Sequence, residues 1–363
     1  MPGARMLSRS AKPTRCEPLM PDNPTVPRSP PSASVPGEPQ QSPRKLTDRV
    51  WWPWLKHGVA AVFFVLVGYL LVSQARTIEW GKVLSSLQAY PLSAIGGAAA
   101  LAAASYVLYS CFDLLGRHYT GHKLATPTVM TITFVSYAFN LNLGSVLGGV
   151  AFRYRLYTRL GLALGVITRV TSFSMLANWT GYLLLAGLVF SLQPPALPAN
   201  WQIDASQLRL IGLVLLAMAL AYLGACAFSH QRTFRLRGHE IELPSLRLAG
   251  LQVAMGAGNW LLMSGILFVL LQQRIDFFSV VSVLLLAAIA GVITHIPGNL
   301  GVLEAVFVAL LSHRMPRHEL LAGVVAYRAM YYIVPLLIAT VIYLVMETQV
   351  KQRASAKDGA ATR

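Results

Sequence analysis

The chain has 363 residues, of which 55% are hydrophobic and only 12% are charged. A soluble domain carries about a quarter charged residues, so this composition excludes a soluble enzyme and indicates an integral membrane protein. The formal net charge is +16. Positive charge accumulates in the cytoplasmic loops and tails of membrane proteins, and no folded basic domain is evident, so we expect no nucleic-acid partner.

Three regions differ in composition along the chain. Residues 1–50 are rich in Pro, Ser and Arg without a hydrophobic period, which predicts a disordered cytoplasmic tail. Residues 51–348 form the predicted integral membrane domain, and residues 349–363 form a basic cytoplasmic tail. The three cysteines are far apart and indicate neither a disulfide framework nor a metal site.

Apolar runs of about 20 residues are long enough to cross a bilayer. The predicted full crossings are 51–73, which begins at an aromatic belt, 92–112, 165–190, 208–228, 247–271 and 321–346. Two further apolar stretches are unusual because glycine, asparagine and proline interrupt them. These stretches are 126–150 and 279–312.

Loop charge decides between two topologies. If both unusual stretches crossed fully, giving eight crossings, loop 191–207 without Lys or Arg would face the cytoplasm and the arginine-rich loop 229–247 would face outward. That is the reverse of the positive-inside rule. We therefore predict an all-α protein with about six full crossings and two re-entrant hairpins, one from each face, and with both termini in the cytoplasm. Such hairpins would form an inverted repeat, as in many transporters.

Two charges lie inside otherwise apolar segments near the second unusual stretch. Glu304 follows the sequence PGNLG, and Arg328 lies near the start of the last crossing. An unpaired charge at membrane depth costs a few kcal/mol or more, so we predict that the two side chains pair. The pair either lines a cavity for substrate or only fixes helix packing, and the sequence leaves both readings open.

Three arginines follow the glycines of the first unusual stretch. Arg153 lies directly after the glycine break, where a lipid phosphate could meet both the guanidinium and free backbone N–H groups. We therefore predict that Arg153 contacts substrate. Arg155 and Arg159 share a helical face, and positive-inside topology is enough to explain Arg159.

Other polar residues have both a structural and a functional reading. Arg169 either extends to the cytoplasmic interface or lines a cavity, and Asn178 either bonds a neighbouring helix or joins that cavity. His295 could titrate near neutral pH, although a lone histidine is more often structural. Asparagines at the breaks can satisfy freed backbone groups. The candidate lipid-headgroup site comprises Arg153, Arg155, Glu304, Arg328, His295, Asn299, Asn140, Arg169 and Asn178.

Signatures of common enzymes are missing from the sequence. It contains no HExxH, no GxSxG and no Walker A motif, and its few histidines and acidic residues lack zinc-site spacing. We therefore predict no catalytic residue, no cofactor and no metal site.

Four segments resemble the lysylphosphatidylglycerol synthase transmembrane-region family, and the likeness runs from about residue 50 to residue 348. They are SCFDLLGRHYTGHKL (110–124), FNLNLGSVLGGVAFRYRLYTRLG (139–161), HIPGNLGVLEAVFVALL (295–311) and AYRAMYYIVPLL (326–337). The pattern PGxLGxxEA with a downstream YR is fairly specific. Asn299 replaces the second glycine that the family usually has after Pro-Gly.

The resemblance implies a lipid-handling protein of the bacterial inner membrane. The family includes the flippase half of the bacterial multiple peptide resistance factor, so its members in the extreme case move a phospholipid between leaflets. Aminoacyl transfer in that family belongs to a separate soluble domain, and we expect none after residue 348.

Three functions therefore compete. The leading one is a phospholipid transporter or flippase that handles a lipid headgroup in an intramembrane polar cavity. The second is a lipid-modifying enzyme with His295 and Glu304 as acid–base partners, and the third is a scaffold for an envelope lipid-transport system. The expected partners are membrane phospholipids and other envelope lipid proteins, and the sequence leaves a homodimer open.

Overall fold

The computed structural model describes residues 81, 85, 88–195, 197, 204–229, 233–236 and 239–361. The predicted tail 1–50 and the predicted crossing 51–73 lie outside the described residues. The α-helices of the described part are α1 (Leu92–Thr120), α2 (Thr126–Leu143), α3 (Ala151–Arg159), α4 (Leu164–Leu192), α5 (Ala205–Phe228), α6 (Leu246–Leu270), α7 (Phe277–Thr294), α8 (Val302–Leu311), α9 (Arg317–Arg328) and α10 (Val334–Ala361).

Non-α segments interrupt this order at four places. A π-helix, Ser145–Val150, precedes α3, and a second, Ala329–Ile333, joins α9 to α10. A short 3₁₀ turn, Pro297–Asn299, separates α7 from α8. Between α5 and α6, β1 (Thr233–Leu236) pairs with β2 (His239–Glu242) in an antiparallel hairpin, a small addition to the predicted all-α architecture.

Six helices of the described part are long and apolar enough to cross a membrane. Five of them, α1, α4, α5, α6 and the continuous helix Arg317–Thr348, correspond to five predicted crossings and confirm the polytopic all-α architecture. The sixth is α7, which the sequence analysis assigns to the first arm of the second hairpin.

The central bundle is built from α1, α4 and α6. Helix α6 runs antiparallel to α1, because the Ser105 hydroxyl of α1 donates to Asn259 Oδ1 of α6 at 2.7 Å and the Tyr90 hydroxyl, just before α1, donates to the Leu270 carbonyl at 2.5 Å. Glycines let α4 and α6 approach closely. A Cβ added at Gly181 would lie 2.2 Å from the Gly256 carbonyl carbon, so this interface depends on direct backbone contact, as in many membrane helix pairs.

The first unusual stretch, 126–150, forms the first arm α2 and the turn of a helical hairpin, but the returning arm continues through α3, Ala151–Arg159, beyond the predicted end at residue 150. The chain reverses at Gly144, whose φ of +86° suits glycine. Across the hairpin, the rings of Phe139 and Phe152 stack with centroids 4.0 Å apart. The returning arm packs tightly, since a Cβ added at Gly148 would lie 2.1 Å from the Phe139 carbonyl oxygen. We call residues 126–159 the first hairpin.

The second unusual stretch forms another hairpin, with the arms α7 and α8. The chain leaves α7 at His295 (φ +55°) and enters α8 at Gly301 (φ +78°). At the open end, Arg314 pairs with Asp276, so the stretch enters and leaves at the same end of the bundle. We call residues 277–311 the second hairpin.

The hairpins start at opposite ends of the bundle and meet at their tips. The first is anchored near the C-terminal end of α1, where Arg153 pairs with Asp113, and the second begins beyond the C-terminal end of the antiparallel α6. At the tips, a Cβ added at Gly298 would lie 3.2 Å from the carbonyl oxygen of Asn142. Each stretch thus reverses instead of crossing once. Re-entry into a bilayer and the inverted repeat stay predictions.

We predict that Gly256→Ala lowers the stability of the protein by about 1–3 kcal/mol, because the added methyl would meet the Ala177 carbonyl oxygen at 2.1 Å. Thermal unfolding in detergent, followed by size-exclusion chromatography, measures the effect. The matched control is Gly250→Ala on the same helix, where a Cβ meets nothing within 4 Å. Equal midpoints for the two variants would contradict the close α4–α6 packing.

Candidate functional site

A buried ion pair fastens the first hairpin to the central bundle. Arg153 on α3 donates from Nε to Oδ2 of Asp113 at 3.0 Å and from Nη2 to Oδ1 at 3.2 Å. The side chains are 2% and 0% exposed. The Tyr157 hydroxyl donates to Asp113 Oδ2 at 2.9 Å, and Arg153 Nη2 also donates to Ser174 Oγ of α4 at 3.3 Å. The pair therefore joins α1, α3 and α4 where solvent is excluded.

This geometry places the predicted substrate contact Arg153 inside the protein. The two bonds of Arg153 to Asp113 form a bidentate arginine–carboxylate pair. The centroid of the Tyr109 ring lies 5.9 Å from the Arg153 guanidinium carbon. A lipid phosphate would have to displace Asp113 to reach the same nitrogens. The role of Arg153 in binding substrate stays a prediction.

Asp113 is the main polar residue that the sequence reasoning did not single out. The predicted second crossing ends at residue 112, which puts Asp113 in a loop, but α1 continues to Thr120. The sequence did contain a signal, because Asp113 is an acidic residue that directly follows the apolar run of the second crossing. Because a carboxylate inside a helix bundle needs a partner, a longer helix would have pointed to a second charge pair.

The predicted pair of Glu304 and Arg328 is present at the second hairpin. Arg328 bonds both carboxylate oxygens of Glu304, with Nη2 to Oε2 at 3.0 Å. The same guanidinium donates to two carbonyls of the hairpin break, from Nη1 to Gly298 O at 2.8 Å and from Nη2 to Asn299 O at 2.5 Å. Arg328 thus satisfies backbone groups that the broken helix leaves unpaired.

Amide side chains occupy the breaks, as the sequence predicts. Asn299 Nδ2 donates to the Ala287 carbonyl at 3.1 Å, while its buried Oδ1 has no hydrogen-bond partner in the described part of the chain. Asn142 donates to the Tyr332 carbonyl at 3.2 Å. Asn140 lies against Gly149, where an added Cβ would be 2.8 Å from the Asn140 Oδ1. Asn142 thus links the first hairpin to the second π-helix, whereas the contacts of Asn140 and Asn299 lie within their own hairpins.

The remaining predicted site residues lie apart from the two buried pairs. Arg155, 54% exposed, and Arg159 both pair with Glu347 of α10. Arg169 is exposed on α4, and Asn178 is half-buried with its carbonyl accepting from Trp260 Nε1 at 3.4 Å.

His295 also takes no part in the two ion pairs. Its side chain is exposed, and its Nδ1 lies 2.9 Å from the Ile293 carbonyl oxygen. The carboxylate of Glu304 is held by Arg328. Within the described residues no hydrogen bond joins His295 to Glu304, so the structure does not assemble the acid–base pair that the enzyme hypothesis requires.

A column of tyrosines connects the two ion pairs. Tyr109, beside Arg153, stacks on Tyr137 with ring centroids 3.5 Å apart. The Tyr137 and Tyr331 hydroxyls lie 2.9 Å apart, and Tyr331 stacks on Tyr327, which is next to Arg328 in the chain. Tyr331 lies in the second π-helix, a segment type that is frequent at functional sites. Packed tyrosine rings thus extend from the first ion pair towards the second.

Comparison with known proteins places the chain in a family. Residues 55–339 match the family described as the lysylphosphatidylglycerol synthase TM region. The chain belongs to this family. The match includes both hairpins, both ion pairs and the tyrosine column, so the described polar site lies inside the family region.

Three relatives illustrate the range of this family. The chain is 43% identical to the inner membrane protein YbhN of Escherichia coli over 311 residues, which are 85% of this chain and 98% of that protein. It is 31% identical to the uncharacterized protein slr0712 of Synechocystis sp. over 77% of this chain and 87% of that protein. It is 24% identical to a phosphatidylglycerol lysyltransferase of Staphylococcus haemolyticus over 79% of this chain, which covers 34% of that protein.

The buried pair Asp113–Arg153 predicts strong coupling between two substitutions. Asp113→Asn and Arg153→Gln should each destabilise the protein by about 3–5 kcal/mol, because each leaves one charge buried without a partner. The double variant should lose less than the sum of the two. A double-mutant cycle on unfolding in detergent measures the coupling, and additive losses would contradict a direct pair.

The bonds of Arg328 predict that lysine cannot replace it. A lysine has one nitrogen and cannot reach the carboxylate and both carbonyls together, and each lost charge-assisted hydrogen bond costs about 1.5–3 kcal/mol. We expect Arg328→Lys to lower the unfolding midpoint clearly. Arg155→Lys, at a side chain 54% exposed, is the control and should have little effect. Similar decreases of the unfolding midpoint in both variants would show that the bonds of Arg328 to the hairpin break do not stabilise the fold.

Proposed function

We propose that this protein is a phospholipid transporter of the bacterial inner membrane, which moves or handles lipid headgroups along a polar path between its two hairpins. The observation that carries the proposal is the meeting of the two glycine-broken hairpin tips, Asn142 against Gly298, between the buried Asp113–Arg153 pair and the partly buried Glu304–Arg328 pair. Charges at this depth are costly and commonly mark a substrate path.

The geometry supports a path that opens at the tips. The helices α1, α4 and α6 pack through glycines and have little room to move, whereas the tips touch mainly through backbone groups. In this proposal, the contact between the tips closes the path to a headgroup. Separation of the tips would expose the amides of Asn142 and Asn299, together with Arg328, to a phosphate group.

The relatives support a lipid-related role in the inner membrane. One relative is named as an inner membrane protein and another as a phosphatidylglycerol lysyltransferase. The alignment with the lysyltransferase covers about a third of that protein, so its transferase activity is not carried over. We assign to this chain the membrane location and the handling of a phospholipid, without a catalytic step.

Loop charge supports the orientation in the membrane. The end of the bundle with the first hairpin's open side carries Arg155 and Arg159, and the arginine-rich loop 229–247 precedes α6 at the same end. Positive-inside bias places this end in the cytoplasm. We propose that both termini are cytoplasmic and that the second hairpin enters from the outer face.

A reversible disulfide between the tips tests the transport function. A Cβ at Gly298 would lie 3.8 Å from the Asn142 Cα, a separation within reach of a disulfide. In a protein whose native cysteines are replaced by serine, we expect oxidised Asn142→Cys/Gly298→Cys to scramble fluorescent phospholipid in proteoliposomes no faster than protein-free vesicles. Reductant should restore the rate in the same sample, which removes folding as an explanation.

The single-cysteine variants under oxidation are the controls, and each should keep its reduced rate. If the oxidised and the reduced double variant scramble lipid at equal rates, with the disulfide verified on a gel, transport does not require the hairpin tips to separate. Absence of scrambling by the unmodified protein would reject transport itself. A new lipid species detected by mass spectrometry would instead favour a lipid-modifying enzyme.

A further inference from the structure

A cavity of about 120 Å³ opens at the end of the bundle opposite the Asp113–Arg153 pair. It lies where α1 begins, α6 ends and α9 begins, beside the base of the second hairpin. Apolar side chains form much of its wall, and four polar side chains reach it. The polar residues are Tyr90, Gln272, Arg274 and Glu319.

An ion pair spans the mouth of this cavity. Arg274 Nη1 lies 2.5 Å from Glu319 Oε2, and Arg274 Nη2 donates to Gln272 Oε1 at 3.3 Å. The two charged side chains are 54% and 30% exposed. Exposed pairs contribute little to stability, because each ion is nearly as well solvated by water. The pair can therefore open towards a ligand that satisfies both charges.

A hydrogen bond between two helices fixes the inner wall of the cavity. The Tyr90 hydroxyl donates to the Leu270 carbonyl at 2.5 Å, which ties the start of α1 to the end of α6. Burial, together with the nearby Glu319 carboxylate, raises the pKa of Tyr90 to about 12, against a smaller opposite effect of Arg274. Tyr90 therefore stays neutral, and Arg274 and Glu319 are the charges of the cavity.

The surrounding charges also favour a ligand that carries a phosphate. Arg314 and Arg317 lie at the same end, Arg314 pairs with Asp276, and Arg317 has no ion pair among the described residues. Near the cavity, the described residues thus include three arginines, Arg274, Arg314 and Arg317, against two carboxylates, Asp276 and Glu319. By the loop-charge orientation this end faces outward, where arginines are less frequent, so topology does not account for them.

Charge matching identifies the ligand class. A purely anionic headgroup would satisfy Arg274 but would leave its negative charge beside Glu319, and a purely cationic one would do the reverse. A headgroup with a phosphate and a primary ammonium can pair with both residues once their own ion pair has opened, the phosphate with Arg274 and the ammonium with Glu319. The cavity has room for a few polar heavy atoms and none for an acyl chain, which would stay in the bilayer.

We propose that this cavity, which we call the outer cavity, binds the headgroup of a zwitterionic aminophospholipid, with its phosphate on Arg274 and its ammonium on Glu319. The site deepens the proposed transport function by naming the lipid class at the outer end of the path, and in that sense rests on it. Binding here does not require the hairpin tips to move.

Native mass spectrometry of the full-length protein in detergent tests the outer cavity. The protein is titrated with phosphatidylethanolamine and with phosphatidylglycerol of identical acyl chains. We expect stronger retention of phosphatidylethanolamine, and a loss of about tenfold in its affinity in Arg274→Gln and in Glu319→Gln. Soluble glycerophosphoethanolamine should displace the bound lipid, and inorganic phosphate should do so less well.

Two further variants separate recognition from general charge effects. The exchange Arg274→Glu/Glu319→Arg keeps both charges at the mouth and should retain the preference for phosphatidylethanolamine. Arg314→Gln removes a paired arginine that is 44% exposed at the same end, outside the cavity, and should leave the preference unchanged. Equal affinities for the two lipids, or an equal loss in Arg314→Gln, would overturn the proposal.

The same titration on the oxidised tip-disulfide protein separates this site from transport. Retained binding when scrambling has stopped would support a headgroup site that works independently of the gate. Selective binding by a protein that never scrambles would reject transport and leave the site standing. Scrambling without selective binding would reject the outer cavity alone.

Discussion

Arg328 is the side chain on which the architecture of the second hairpin depends. A helix broken inside an apolar bundle exposes carbonyl groups that a bilayer cannot solvate, and each must find a partner in the protein. The single guanidinium of Arg328 bonds two such carbonyls, Gly298 and Asn299, and also neutralises Glu304. The break at Pro297–Asn299 is therefore tolerated because a charged side chain from the last helix fits into it.

The first hairpin uses the same chemistry with the charges exchanged. There the arginine, Arg153, lies on the hairpin and the carboxylate, Asp113, lies on a neighbouring helix. In the second hairpin the carboxylate belongs to the hairpin and the arginine to its neighbour. Each pair removes the cost of two isolated charges and fixes one hairpin against the bundle. This exchange is compatible with the predicted inverted repeat, which rests on topology.

The proposed transport function depends on a difference in packing between the α4–α6 interface and the hairpin tips. Direct backbone contact between Gly181 and Gly256 makes the α4–α6 interface rigid, because any added atom would collide. The hairpin tips meet through few groups, and the second tip is held by the Arg328 guanidinium, which donates to the Gly298 and Asn299 carbonyls. The proposed transport function needs a stable frame and a smaller moving part, and these two kinds of contact would supply them. In our proposal, the outer cavity is the place where the protein selects the lipid class.

The sequence by itself determined the membrane class, five crossings of the described part, the two broken stretches and the pair of Glu304 with Arg328. These follow from local composition and from the cost of an unpaired charge in an apolar helix, neither of which needs coordinates. Only the tertiary structure decided the partner of Arg153, because Asp113 is 40 residues away and α1 extends past its predicted end. The tip contact and the outer cavity were likewise beyond the sequence, since they join residues such as Tyr90 and Leu270 that are 180 positions apart, and spacing along a chain carries no information on which distant side chains meet.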